Sequence, residues 1–199
     1  MSKTLGIFTG KKSEYNGLIL KSLVIGAKKT IEIAEYVYLN KTDSPVKVNY
    51  NELKTINSII CRKNSRLEEL SSRGYIKREK DLWKLETKGL CVALTLFNDF
   101  SDLRKLVDFK ELQQQFKSAI TKIKRHPLIA LITSVSSNTI KDQYEMMEND
   151  PKFVELFLFK LRAFTEELIR VGVDIDAMSN KDFQIIMATK INSWIKDLK

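Results

Sequence analysis

The stretch from Cys61 to Leu90 constrains the fold more than any other part of the chain; it reads CRKNSRLEELSSRGYIKREKDLWKLETKGL. In its first part, spacings of three and four residues place Leu67 and Leu70 on one face of a helix over Arg62–Ser72. The opposite face is polar and carries Arg62, Ser65, Arg66, Glu69 and Arg73. Gly74 is predicted to end this helix, because glycine takes the left-handed conformation at a helix C terminus at little cost.

The residues after Gly74 predict a β-hairpin. Tyr75–Glu79 and Leu82–Glu86 are short extended runs, and Lys80-Asp81 between them suits a tight turn. Thr87 is a suitable N-cap for a further helix, which we expect to continue to about Phe97. The predicted order is therefore helix, glycine, hairpin, helix.

This order, with RLEELSSRGYI before the hairpin and LETKGL after it, resembles the winged helix-turn-helix domain of transcriptional regulators of the MarR and PadR kind. The resemblance covers roughly the first half of the chain. It implies a recognition helix at about residues 61–73 in the major groove of DNA, and a wing at residues 75–86 on the backbone or in the minor groove. One departure is Glu86, where the family often has leucine; Leu85 lies one place earlier.

The polar face of the predicted recognition helix supplies the residues expected to contact DNA. Arginine can make two hydrogen bonds to a guanine edge, and Arg62 and Arg66 lie in the first turns of the predicted helix. The predicted DNA-binding residues of the helix are Arg62, Lys63, Asn64, Ser65, Arg66, Glu69 and Arg73. Those of the wing, expected on phosphates or in the minor groove, are Lys77, Arg78, Lys80 and Lys84. The alternative is a solvated helix face on which Arg66 pairs with Glu68 or Glu69.

The charge distribution favours the same region. The formal net charge is +9 at pH 7; residues 1–100 carry 18 basic and 11 acidic side chains, whereas residues 101–199 carry 16 and 14. A basic face suits phosphate contacts, although a lysine-rich solvated surface gives the same count. Charge and the hairpin pattern together favour DNA.

Other classes of function have little support in the sequence. There is neither an apolar run of the ~20 residues that a membrane span needs nor a signal-peptide core, so we expect a cytoplasmic protein. Cys61 and Cys91, with the single histidine His126, make neither a disulfide framework nor a metal site. Phosphate-binding glycine loops and catalytic serine motifs are absent, so we expect neither an enzyme nor a cofactor. Asp174 and Asp176 are interpreted as solvated turn residues.

Two helices are expected before the central stretch. The first begins near Glu14 and closes near Gly26, and Thr30 caps a second helix through Leu39. A short strand at Val46–Val48 follows.

The helix that positions the recognition helix has two interpretations. In one it is Thr30–Leu39, and the residues up to Ile60 are an insertion. In the other, Asn51–Asn57 is the positioning helix and Ser58–Ile60 is the turn. The short distance from Leu53 to Gly74 favours the second interpretation.

The second half is expected to be helical throughout. Asp150-Pro151 predicts a helix start, and the residues that follow are apolar nearly all round, so that helix is expected to be buried. Ser179 is expected to cap the last helix. A stripe on that helix is expected to face a second copy of the chain, and it consists of Phe183, Met187, Ile191, Trp194 and Leu198.

The sequence therefore predicts a mainly α protein in two domains. Residues 1–98 form a winged helix-turn-helix domain with a small β-hairpin wing, and residues 99–199 form an all-helical dimerisation or regulatory domain. The expected function is sequence-specific binding of double-stranded DNA as a homodimeric transcriptional regulator, with no membrane partner and no indicated small-molecule effector. Two alternatives are a winged-helix module that binds a protein partner and a replication or plasmid initiator.

Overall fold

The computed structural model of the chain describes residues 5–10, 13–24, 26–41, 49–62, 65–97 and 153–197, and the structural statements below concern these residues. They form a mainly helical structure with a small three-stranded antiparallel sheet. In chain order the elements are α1 (Ser13–Leu23), β1 (Lys28–Lys29), α2 (Thr30–Lys41), α3 (Tyr50–Cys61), α4 (Arg66–Ser72), β2 (Ile76–Glu79), β3 (Leu82–Leu85), α5 (Thr87–Thr95), α6 (Phe153–Arg170) and α7 (Asn180–Asp197).

The sheet joins the hairpin to β1, the short strand that directly precedes α2. Its strand order is β1-β3-β2, and each neighbouring pair is antiparallel. Glu79 lies opposite Leu82, which confirms the predicted hairpin and its two-residue turn. The Trp83 indole Nε1 donates a hydrogen bond to Thr30 Oγ1 at 3.1 Å, and this bond ties the hairpin to the first residue of α2.

The helix predicted over Arg62–Ser72 starts later than expected. Arg62 is the C-terminal cap of α3, so the prediction that it lies in the first turn of the next helix is wrong. α4 begins at Arg66 because Ser65 takes the N-cap position, where its Oγ accepts a hydrogen bond from the Glu68 backbone N–H at 3.3 Å. The predicted recognition segment 61–73 therefore includes the end of α3 and the short helix α4, not one continuous helix.

The helix that directly precedes α4 is α3, as in the second of the two interpretations, but its bounds differ. The apolar positions Leu53, Ile56 and Ile60 are all buried, and they continue one helical face to the end of α3. Ser58–Ile60, predicted as a turn, is therefore helical. α3 ends at Cys61, and α4 begins at Arg66.

Gly74 ends α4 as predicted. Its φ is 73°, its N–H donates to the Ser71 carbonyl at 2.9 Å, and the Tyr75 N–H donates to the Leu70 carbonyl at 2.9 Å. These two bonds satisfy carbonyls that the end of the helix would otherwise leave unpaired. At the start of α5, however, Glu86 takes the N-cap position, and Thr87 is the first helical residue rather than the cap.

The last two helices share one hydrophobic core with the elements that precede Phe97. α6 and α7 both pack against α5. Ser179 caps α7 as predicted, since its Oγ accepts from the Asp182 N–H at 3.1 Å. The predicted stripe faces inward: Phe183, Met187 and Ile191 are fully buried within a single chain, so these side chains are not available to a second copy.

One face of α6 is exposed, against the expectation that this helix is buried all round. Leu158 and Leu161 are buried, whereas Leu156 and Phe159 are 42% and 57% exposed. The helix covers α5 with a single face, and its outward apolar residues remain in solvent.

Several predictions lie outside the described residues. They concern the strand at Val46–Val48, the helices expected between residues 101 and 150, the Asp150-Pro151 cap, the domain boundary near residues 98–101, and Leu198.

Candidate nucleic-acid interface

The hairpin carries four of the predicted DNA-binding residues on its solvent-facing surface. Trp83 and Leu85 of β3 point into the core, so Lys84 between them and its cross-strand partner Lys77 point to the other face of the sheet. Lys77 and Arg78 of β2 and Lys80 of the turn are exposed, and Lys84 of β3 is half-buried. The strand alternation thus places Lys77 and Lys84 on one face, whereas Arg78, the partner of Trp83, lies on the other.

The contacts of these cations are surface contacts. The Lys77 Nζ lies 2.9 Å from Glu86 Oε1, Lys84 pairs with Glu79, and the Arg78 guanidinium lies 5.7 Å from the centre of the Trp83 ring. The contact with Lys84 lowers the pKa of the Glu79 carboxyl. Glu79 is exposed, and ion pairs at the surface contribute little to stability, so a phosphate can replace its carboxylate at small cost. Glu86 is largely buried.

The arginines of α4 are engaged within the chain. The Arg66 Nη1 lies 2.6 Å from Glu69 Oε2, and Arg73 lies 3.4 Å from Glu69 and 3.6 Å from Asp176. Glu69, which is also among the predicted DNA-binding residues, forms ion pairs with both arginines. Ser65 is buried and caps α4, so its hydroxyl serves the fold. Of the remaining predicted residues, Arg62 is exposed beyond the end of α3, and Lys63 and Asn64 lie outside the described residues.

The outward face of α3 was not among the predicted sites. It is polar, and it is made of Asn51, Lys54, Thr55 and Ser58, continued by Arg62. Ser58 is half-buried and the other four are exposed. The sequence does contain a signal for this face, because the spacing of Leu53, Ile56 and Ile60 implies a polar face on the opposite side of the helix. A helix predicted to end at Asn57 leaves out Ser58 and Arg62, and the polar face is then not recognised.

A second feature missed at the sequence level is a polar cluster behind the hairpin, made of Arg73, Tyr75, Lys88 and Asp176 and called here the Asp176 cluster. The Tyr75 hydroxyl donates to Asp176 Oδ1 at 2.7 Å, and the Gly6 N–H donates to Asp176 Oδ2. Asp176 is therefore not a solvated turn residue. Asp176 fixes the loop between α6 and α7 to Tyr75, which precedes β2, and to the short 3-10 helix Gly6–Phe8 near the N terminus.

Lys88 is the centre of the same cluster and is fully buried. Its Nζ donates to the carbonyls of Ile175 at 3.1 Å and Met178 at 2.7 Å, and it lies 4.4 Å from the centre of the Tyr75 ring. Burial lowers the pKa of Lys88, and burial together with the Asp176 hydrogen bond raises the pKa of Tyr75. These groups hold the α6–α7 loop in place, and their positions inside the protein exclude them from a surface site.

Glu86, the departure from the expected pattern, has a structural role beside this cluster. Its carboxylate accepts from the Asn180 side-chain amide at 2.8 Å, and Asn180 Oδ1 accepts from the Lys88 N–H at 3.0 Å. The Gln184 amide donates to Thr87 Oγ1 at 2.9 Å. The first turns of α5 and α7 are thus hydrogen-bonded to each other, and leucine at position 86 would remove the bond to the Asn180 amide.

Neither a metal-binding site nor a membrane-spanning helix is evident in the described part of the chain. Within residues 5–97 and 153–197, apart from the gaps given above, no three His, Cys, Asp or Glu side chains are grouped as metal ligands. Over the same residues no helix is both long and apolar enough to cross a bilayer. Comparison of the chain with protein-family models, with curated proteins and with solved structures finds no match.

Proposed function

We propose that this protein binds double-stranded DNA and acts as a sequence-specific transcriptional regulator. The observation that carries the proposal is the exposed basic surface of the β2–β3 hairpin, which holds Lys77, Arg78, Lys80 and Lys84. Phosphate contacts from such cations supply most of the sequence-independent affinity of DNA-binding proteins. The excess of positive charge in residues 1–100 is consistent with this surface.

The order of elements around the hairpin supports the same proposal. α3 and α4 precede the hairpin, α5 follows it, and β1 pairs with β3 in a small sheet. The order of helix, hairpin and helix is the one on which the resemblance to winged helix-turn-helix regulators rests. In the proposed complex a helix of this unit enters the major groove and the hairpin lies against the backbone.

Binding of the full chain to a labelled random-sequence duplex tests the proposal. Fluorescence anisotropy is measured at several salt concentrations between roughly 50 and 200 mM. If the four hairpin cations contact phosphates, log affinity falls against log salt with a slope of about −3 to −4. Absence of binding at the lowest salt, or binding that is independent of salt, would contradict the proposal. Selection of preferred duplexes from a random pool then tests sequence specificity.

A protein-binding role is the second candidate, and the exposed apolar side chains favour it. Leu156 and Phe159 lie one helical turn apart on the outer face of α6 and are partly in solvent. Because Phe183, Met187 and Ile191 of α7 are buried, a homodimer would have to form through other apolar side chains, and Leu156 and Phe159 are exposed. Sedimentation velocity of the full chain and of a Phe159→Lys variant tests this, and a monomeric wild-type chain at micromolar concentration would argue against the homodimer. Mapping of occupied genomic sites separates a regulator from a replication initiator.

A further inference from the structure

The outward face of α3 has the chemistry of a base-reading surface. Asn51, Ser58 and Arg62 lie along one line of the helix, with Lys54 and Thr55 on either side. Asparagine and arginine can each make two hydrogen bonds to a purine edge, and serine and threonine hydroxyls can donate or accept. The face carries two positive charges and no carboxylate: Glu52, the acidic residue in the first turn, lies to the side, within 3.1 Å of the Asn49 amide nitrogen.

α4 lacks these properties. It is seven residues long, whereas α3 has 12 residues and a length of about 18 Å. Glu68 and Glu69 stand in the first turn of α4, where they would face the phosphates of a groove-bound helix. The two arginines of this segment are paired with Glu69 and Asp176. Entry of α4 into the groove would therefore bring its carboxylates close to phosphates, whereas the outward face of α3 has none.

We propose that α3, and not α4, enters the major groove, and that Asn51, Ser58 and Arg62 determine which bases are preferred. This inference rests on the proposed function and names the reading surface. α4 then has a positioning role: Leu67 and Leu70 bury its inner face in the core, and Ser65 caps its N terminus. The cations of the hairpin anchor the complex to the backbone without reading sequence.

Selection of duplexes from a random pool, performed in parallel with the full-length wild type and single variants, tests the proposal. The variants on α3 are Ser58→Ala and Arg62→Ala, the variant on α4 is Arg66→Ala, and Arg170→Ala is the matched control. Arg170 is an exposed arginine at the end of α6, so its removal changes the net charge equally, away from the proposed surface. Thermal melting of each variant verifies folding, which is expected because the two α3 side chains point away from the core.

The expected result is that both α3 variants change the preferred bases, each at one or two positions. Their affinity for the wild-type sequence should fall roughly tenfold or more. Arg66→Ala and Arg170→Ala should retain the wild-type preference. An unchanged preference in either α3 variant, or a changed preference in Arg66→Ala, would overturn the inference while the proposed function stands. Failure of the wild type to enrich any sequence would overturn the sequence-specific function together with the inference.

Discussion

The hairpin begins directly after Tyr75, a member of the Asp176 cluster, and the two regions use similar residues in different ways. On the hairpin, Lys84 reaches the exposed carboxylate of Glu79 and the exposed Lys77 reaches the edge of Glu86, and such surface contacts stabilise the fold little. In the cluster, Lys88 is fully buried and donates to two backbone carbonyls. Surroundings, rather than residue type, therefore separate cations that can bind a partner from one that holds the fold together.

The Asp176 cluster attaches the C-terminal helices α6 and α7 to the rest of the protein. The contacts of Lys88, Tyr75 and Asp176 join the start of α5 and β2 to the α6–α7 loop, and the buried side chains of α6 and α7 complete the same core. The hairpin extends away from this attachment. Substitutions in the cluster should therefore change the free energy of unfolding, and substitutions on the hairpin should change binding.

The largest effect is expected where α5 approaches Tyr75. A Cβ on Gly89 would lie 1.9 Å from the carbonyl oxygen of Tyr75 and 2.8 Å from its carbonyl carbon. Both of these Tyr75 atoms belong to the backbone, so they cannot move aside as a flexible side chain can. Gly89→Ala should therefore lower the free energy of unfolding by more than about 3 kcal/mol, or prevent folding. The matched control is Gly17→Ala in α1, where the nearest atom is 3.8 Å away. Urea unfolding should show that this control is neutral or stabilised by about 0.5–1 kcal/mol; equal behaviour of the two variants would contradict the close approach.

Removal of the buried ammonium is expected to have the next largest effect. Lys88→Met leaves the carbonyls of Ile175 and Met178 without their donor, and it should cost about 2–3 kcal/mol. Lys84→Met on the hairpin should change stability by less than about 0.5 kcal/mol. The two proteins are compared by urea unfolding at neutral pH. A Lys88→Met protein as stable as Lys84→Met would show that the two lysines do not differ as described.

Tyr75→Phe should give a smaller, pH-dependent loss. At neutral pH it removes the hydrogen bond to Asp176 and should cost about 1 kcal/mol. Because the pKa of Tyr75 is raised in the folded state, the hydroxyl stabilises the fold fully below the unfolded value near 10. Above that pH the wild type loses this contribution, by at most about 1.4 kcal/mol per pH unit, and the stability difference between the two proteins should shrink. A difference that stays constant or widens between neutral pH and pH values above about 10 would contradict the raised pKa.

The smallest effect on stability is expected for the tip of the hairpin. The double variant Arg78→Ala/Lys80→Ala should unfold within about 0.5 kcal/mol of the wild type. Its salt dependence of binding should nevertheless be flatter by about two units, because two phosphate contacts are lost. Anisotropy titrations on random-sequence duplexes measure this slope. A slope equal to that of the wild type would remove these two side chains from the interface.

Sequence patterns predicted those parts of the fold that depend on neighbouring residues. The end of α4 at Gly74, the two-residue turn of the hairpin and the Ser179 cap are each determined within a few positions, and all three were found. The start of α4 was wrong because two helical signals overlap: the polar spacing continues back to Arg62, whereas Ser65 supplies a cap in the middle of it. The periodicity of α7 predicts an apolar stripe, but it does not show whether the same chain or a second copy buries that stripe.

The Asp176 cluster was beyond such prediction. Lys88 and the Ile175 carbonyl are 87 positions apart, and neither residue stands in a pattern that marks it as buried. Lysine is commonly exposed, and Asp176 lies among turn residues that look solvated. Which residues of a helix pair with one another, as Arg66 and Arg73 do with Glu69, is likewise a property of the folded surface. For the candidate site, the sequence therefore indicated the hairpin cations but not the state of the arginines.

The central claim is that the exposed hairpin, and not the surface of α6 and α7, meets DNA. Its most direct test is the titration of the isotope-labelled full chain with a short random-sequence duplex at low salt, followed by amide NMR shifts. The account predicts shifts concentrated at β2, β3 and the turn between them, together with α3, while the amides around Asp176 and on α6 change little. Shifts confined to α6 and α7, or an unchanged spectrum at saturating duplex, would contradict it.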